Sequence, residues 1–227
     1  MRRLLRPRQS LFRDRIDAGE QLAEQLTTWA GHDPLVLGLP RGGVPVAAEV
    51  ARRLGAELDV LVARKVGAPR QPELAMGAVT ADGGVYLDTH IVDHLRVPAD
   101  TLERLIEQER EVARRRDQRF RGDRPFPRVK GRTVIVVDDG LATGATMRAA
   151  VRVLRKRDPR RLIVTVPVGS TQACADLAEE ADEVVCLHSF DSFQAVGLYY
   201  EDFRPTEDAE VEELLARFRG AAEPDRS

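Results

Sequence analysis

Asp138 and Asp139 stand at the end of a β-branched run, residues 134–137, and are followed by Gly140-Leu141-Ala142-Thr143-Gly144-Ala145-Thr146. Met147, Ala150, Val151 and Leu154 then recur at helical spacing. The layout is a buried parallel strand, an acidic pair, a Thr/Gly loop and a helix start. Each residue type has a chemical use there. Backbone N–H groups at a helix N-terminus lack internal partners and, with the helix dipole, attract an anion. Gly144 lets the backbone approach that anion closely, and Thr143 and Thr146 add hydroxyl donors. Carboxylates so near an anion would repel it, so they suit what lies beside it: ribose hydroxyls, which donate to them, or a Mg²⁺ ion. The pattern suits a sugar phosphate.

Two more segments combine strand ends with anion-binding residues. Leu39-Pro40-Arg41-Gly42-Gly43 follows the apolar stretch 35–39. A Gly pair at a strand–helix junction exposes N–H groups, and Arg41 adds a planar donor of fixed charge. Ala63-Arg64-Lys65-Val66-Gly67 closes the next strand candidate, 58–63. Taken by themselves, its adjacent cations are either a solvated strand end or a second anion contact.

The segment 138–146 resembles the type I phosphoribosyltransferases. Their signature for phosphoribosyl pyrophosphate (PRPP) is an apolar strand, two acids, three variable residues and Thr-Gly-x-Thr. The resemblance implies that Ala142, Thr143, Gly144, Ala145 and Thr146 hold the 5′-phosphate. Asp138 and Asp139 would serve the reaction centre at the ribose, with Mg²⁺ as cofactor. Arg41, Gly42 and Gly43 look like the family's pyrophosphate loop, which often holds a cis non-proline peptide. Arg64 and Lys65 match the Arg-Lys pair that contacts pyrophosphate, most closely as in adenine phosphoribosyltransferases. The stretch 193–200 is similar to the Phe-x-Val-Gly-Tyr segment of 6-oxopurine enzymes, with one extra residue. That implies Phe193 stacking on a base, and Glu201 or Asp202 as a further acid toward Mg-pyrophosphate. One departure stands out. Those enzymes carry an Asp before Thr-Gly, and this chain carries Ala142. The stretch 76–83 also lacks the Glu that adenine enzymes place near the base; Glu73 and Asp82 are its nearest acids.

The elements that position these residues alternate. Helices are expected at 16–29 (apolar face Ile16, Leu22, Ala23, Leu26), 44–54, 98–120 and 171–180. Strands are expected at 35–39, 58–63, 134–137, 162–168 and 183–187, with a hairpin from 74–80 and 85–88. This predicts an α/β fold, a parallel sheet of about five strands flanked by helices, with ligand at the C-terminal strand ends. Residues 1–218 would form one domain, with a small hood from about 66–87 and 188–205. The helix 98–120 is an insertion, a lid or a dimer contact, and 219–227 a disordered tail.

Composition sets the remaining bounds. The 227 residues are 43% hydrophobic and 32% charged with net charge −2, which fits a globular α/β protein without global attraction to nucleic acid. No run approaches a membrane span, and the basic segment 1–8 lacks an apolar signal core. Cys174 and Cys186 are read as reduced thiols of a cytoplasmic protein. His90 and His94, with Asp93, have i,i+4 spacing but no third-ligand pattern. Residues 114–132 carry nine cations against Asp117 and Asp123, read as a solvated helix end or as a contact for a phosphate-rich partner such as RNA. The leading expectation is a homodimeric enzyme transferring a phosphoribosyl group from PRPP to a nitrogenous base. The alternatives are a PRPP-sensing regulator that binds nucleic acid and a phosphoribosyl-directed hydrolase.

Overall fold

The computed structural model describes residues 10–221. Five parallel strands form the main sheet in the order β2-β1-β6-β7-β8: β1 (Leu35–Gly38), β2 (Glu57–Val60), β6 (Thr133–Val137), β7 (Arg161–Ser170) and β8 (Glu183–Phe190). Except in the edge strand β8, their side chains alternate between two largely buried faces, as strand geometry requires. Val36, Val60, Ile135, Val137 and Ile163 meet the layer of α1 (Arg15–Gln25), α2 (Gly43–Leu54) and α7 (Asp208–Ala221). Leu35, Leu37, Val134, Val136, Leu162 and Val164 meet α5 (Ala145–Arg155) and α6 (Thr171–Ala178).

The chain runs from β1 outward to β2 in one direction and from β6 outward to β7 and β8 in the other. β1 and β6 are neighbours, register Leu35↔Val134 to Gly38↔Val137. The order therefore reverses between them, which opens a crevice at their C-terminal ends. The loops after β1 and β6 both leave the sheet there.

A second, antiparallel sheet, β3-β4-β5, comprises β3 (Ala63–Ala68), β4 (Gln71–Thr80) and β5 (Val85–Leu87). Its apolar side is Val66, Ala68, Met76 and Val79, covered by α3 (Thr89–His94) and the long α4 (Ala99–Arg121) through Ile91, Leu102, Leu105 and Ile106. The inserted helix thus spends its apolar face on this sheet. Its far end is tied to the main sheet. Arg121 forms an ion pair with Asp59 of β2 and donates to the Val60 carbonyl (2.7 Å), both side chains almost fully buried.

Several expectations are corrected. The strand drawn at 58–63 is two elements, because β2 ends at Val60 and Ala63 opens the second sheet. Ile16, assigned to an apolar face, is 54% exposed, since it falls in the first turn of α1 beyond the layer above it. The tail drawn from 219 begins inside α7, whose Val211 and Leu215 are buried against the main sheet's helical layer. Residues 222–227 lie outside the described part, as does the basic segment 1–8. Residues 190–203 pack as an aromatic cluster with Phe12 and Val168: Phe190, Phe193, Tyr199, Tyr200 and Phe203. Among the described residues no helix is long and apolar enough to cross a membrane.

Candidate active site at the β1–β6 crevice

The acidic pair projects from the end of β6, and the loop after β1 lies directly against it. Leu39 N–H donates to the Val137 carbonyl (2.9 Å). A Cβ placed on Gly43 would come within 2.6 Å of that same carbonyl oxygen. One placed on Gly42 would lie 1.9 Å from Asp139 Oδ2. The two glycines are therefore required by close approach, not by turn conformation; Gly42 has φ −62° and ψ −30°, open to any residue. The Pro40–Arg41 peptide is cis.

Asp139 is held from two sides. Arg15, at the start of α1, donates Nε to Asp139 Oδ2 (2.8 Å), and the Tyr200 hydroxyl donates to the Asp139 carbonyl (2.6 Å). Arg15 also donates to the Arg204 carbonyl (2.8 Å) and stacks over the Phe203 ring at 4.0 Å. Its side chain and that of Asp139 are 12% and 15% exposed, so the pair is poorly screened. Asp138 Oδ1 accepts the Asp139 N–H (2.9 Å). Burial, then the charge of Asp139, pushes the Asp138 carboxyl well above the usual range. Burial also raises Asp139, against the opposing pull of Arg15. Burial pushes the Tyr200 hydroxyl up as well, so it remains a donor. Two crowded carboxyls with one guanidinium between them leave acceptor capacity unused. Hydroxyl donors or a divalent cation would relieve that crowding.

The second loop completes the crevice. Gly144 takes the left-handed conformation (φ 72°) as the residue capping α5, and Thr143 Oγ1 accepts the Ala145 N–H (3.4 Å). Ala142, Thr143 and Thr146 are exposed, whereas Gly144 is buried against Ala173, Leu141 and Leu177. A rigid seat thus presents the N-terminal amides of α5 to solvent.

The remaining expected residues are placed less simply. Arg41 reaches toward α7, 3.6 Å from Asp208 and 3.9 Å from Glu207. Arg64 and Lys65 are consecutive in β3 and so leave opposite faces of the strand. Arg64 shares the side of Val66 and pairs with Glu109 of α4 (2.8 Å). Phe193 stacks on Tyr199 (centroids 5.2 Å, interplanar 16°), and Tyr199 also stacks on Phe190. Asp202 is drawn to Arg204 and gathers into no three-ligand cluster with Asp138 and Asp139 among the described residues. Glu201 accepts from Ser10 (3.1 Å). His90, Asp93 and His94 are exposed on α3.

The basic stretch resolves into partnerships. Arg114, Arg115, Arg119, Arg121, Lys130 and Arg132 each pair with a carboxylate. Arg116 is different. Its neighbours on the same face of α4 are Glu109, which holds Arg64, and Arg119, which pairs with Asp208 beside Arg41. Arg116 thus feels the charges of Arg41 and Arg64, and burial together with those like charges lowers its proton affinity. Sequence reading missed Arg15 and Arg116 because each meets the site only through folding. Tyr200 stood within a stretch singled out for its aromatics.

Comparison with known proteins places the chain in a family. A protein of Mycobacterium tuberculosis, Rv0571c, which carries the provisional name phosphoribosyl transferase, is 46% identical over 207 residues, 91% of this chain. The chain spans about half the length of the curated relatives it matches most extensively, 47% of that protein. The adenine phosphoribosyltransferase of Mycobacterium marinum is 31% identical over 150 residues, 66% of this chain and 62% of that one. The crystal structure of TT1426 from Thermus thermophilus superposes with a TM-score of 0.85 at 49% identity, covering 91% of this chain and 98% of that chain. The phosphoribosyl transferase domain model matches residues 10–202, from the edge of the Arg15 helix to the aromatic segment that fixes Asp139, and this chain belongs to that family.

Proposed function

We propose that the crevice binds Mg-PRPP and transfers its phosphoribosyl group to a nitrogenous base, releasing pyrophosphate. The observation that carries this reading is the convergence at one sheet reversal of a helix-capped Thr/Gly loop, a buried acidic pair and a glycine loop pressed against that pair. Thr143, Gly144, Ala145 and Thr146 hold the 5′-phosphate through α5 amides and hydroxyls. Asp138 and Asp139 accept from the ribose hydroxyls, with Arg15 fixing the orientation of Asp139. Arg41, Gly42 and Gly43 face the pyrophosphate, with Arg64 and Arg116 adding charge from the second sheet and α4. Charge at the ribose C1 becomes oxocarbenium-like as the bond to pyrophosphate lengthens. The chain's contribution is to position the reactants and neutralise the leaving group.

The carboxyls also fit a Mg²⁺ site of the kind built from one or two carboxylates plus substrate oxygens. Asp138 and Asp139 would hold it there, and when bound it supplies charge neutralisation of the pyrophosphate.

The test is pyrophosphate release from Mg-PRPP across a panel of purine and pyrimidine bases. Adenine comes first, given the likeness to the M. marinum enzyme. Asp139→Asn and Thr143→Ala serve as controls. Release with one base, lost in both variants, names the acceptor. PRPP binding without turnover on any base would replace the transferase reading with that of a PRPP sensor.

A further inference from the structure

Cys174 and Cys186 take no part in the chemistry above, yet they are not independent thiols. Cys174 lies in the first half of α6 and Cys186 in β8, and Gly169 of β7 sits beneath both. A Cβ built on Gly169 would fall 3.0 Å from Cys174 Sγ and 3.4 Å from Cys186 Sγ. The two sulfurs therefore close over the same backbone position, which only glycine leaves open. Cys186 also donates to the His188 carbonyl (3.3 Å), and both thiols are partly exposed. Their proximity makes them unlike: Cys174 is shifted toward the thiolate, and Cys186 toward the protonated thiol. Cys174 is thus the nucleophile of the pair.

The same backbone supports the phosphate loop. Leu141 pairs with Gly169 in an isolated parallel bridge; the Leu141 N–H donates to the Val168 carbonyl (2.9 Å), and the Ser170 N–H donates to the Leu141 carbonyl (2.8 Å). Ala173, the residue before Cys174, lies 3.6 Å from the Cβ position of Gly144. The loop rests on the turn of α6 that carries the reactive thiol.

We propose that Cys174 and Cys186 form a reversible disulfide that weakens the phosphate loop's hold on its anion. The oxidant is a hydroperoxide such as hydrogen peroxide. The Cys174 thiolate attacks one peroxide oxygen, an S–O bond forms, the O–O bond breaks, and hydroxide leaves to become water. Cys186 then attacks the sulfenic sulfur of Cys174. An S–S bond forms, the S–O bond breaks, and the departing hydroxide takes the Cys186 proton as a second water. Peroxide is reduced by two electrons, and the two thiols are oxidised by two. Disulfide geometry is narrow, so closure draws the first turns of α6 toward β8 and shifts Ala173 beneath Gly144. The effect on PRPP rests on the function proposed above; the disulfide itself does not.

The experiment treats the full chain with one equivalent of hydrogen peroxide. It maps the products by mass spectrometry after alkylation and measures PRPP binding by calorimetry before oxidation, after it, and after re-reduction with dithiothreitol. The expected result is loss of both free thiols to an intramolecular 174–186 bond. PRPP affinity should fall on the order of tenfold and return on reduction. Cys186→Ala should bind PRPP normally and lose the response. Over-oxidation of Cys174 without the crosslink, an intermolecular disulfide instead, or a 174–186 bond that leaves PRPP affinity unchanged would each overturn the proposal. If reduced wild-type protein fails to bind PRPP, the proposed function is what fails, and the mass analysis still decides the disulfide.

Discussion

Gly42→Ala isolates the contact on which the crevice depends. Gly42 has helical dihedrals, φ −62° and ψ −30°, so alanine brings no backbone penalty there. Its Cβ, however, would lie 1.9 Å from Asp139 Oδ2, 2.7 Å from Asp139 Cγ and 3.2 Å from Arg15 Nε. Ordinary contact begins at 3.4 Å, so the carboxylate must retreat by about 1.5 Å, and it cannot do so while keeping its 2.8 Å bond to Arg15. The retreat is opposed by the Tyr200 hydroxyl on the Asp139 carbonyl. Overpacking of this kind costs about 1–3 kcal/mol, and a chain of this size loses about 2–4 °C of Tm per kcal/mol. Thermal unfolding should therefore fall by about 2–12 °C. Calorimetric PRPP affinity should drop by at least about tenfold, or 1.4 kcal/mol. Gly55→Ala is the control. It sits at φ 61° with nothing within 4 Å of its Cβ, so it loses stability through backbone strain while PRPP binding stays intact. A Gly42→Ala protein with wild-type stability and wild-type PRPP affinity would refute the packing of this loop on Asp139.

Three further outcomes follow from the same geometry. Both carboxyls of the acidic pair are raised above the usual 3.8, so the native state binds more protons than the unfolded chain just above that pH, and stability falls as pH rises through the window. Asp138→Asn should therefore unfold at higher urea than wild type at pH 7, by about 1 kcal/mol or more, lose that advantage below pH 3.8, and lose PRPP binding throughout. Asp59→Asn should cost about 3 kcal/mol in urea unfolding, because Arg121 is left buried with Asp117 as its remaining carboxylate; a loss under about 1 kcal/mol would show the pair does not anchor α4. Arg116→Gln should weaken pyrophosphate binding by about tenfold while leaving ribose 5-phosphate affinity unchanged, and equal loss of both ligands would place Arg116 in support of the fold instead.

Much of the architecture was legible because parallel sheets write plainly. The runs at 35–38 and 134–137 are buried on both faces and read as continuous apolar stretches, and glycines 55 and 144 mark helix boundaries through positive φ. Other parts were written but not read. Val211, Leu214, Leu215 and Phe218 recur at i, i+3, i+4 and i+7, the stripe by which α7 packs on the core. The break between β2 and β3 was obscured because 58–63 is uniformly apolar or small apart from Asp59, and hydrophobicity alone does not say where a chain leaves one sheet for another.

Local sequence fixed the Thr/Gly loop, since a glycine in the left-handed region, flanking threonines and the following helix are neighbours in the chain and need no distant partner. It likewise fixed the acidic pair at a strand end. Everything that tunes those groups came from elsewhere. Arg15 stands 124 residues from the carboxylate it grips, Asp59 lies 62 residues from Arg121, and Arg116 meets Arg41 and Arg64 only once α4 is laid across the second sheet. Short-range order follows from propensity and spacing. Charge pairing, burial and the shifts in proton affinity they cause depend on distances across space, and those are settled only when the two sheets and their helices pack.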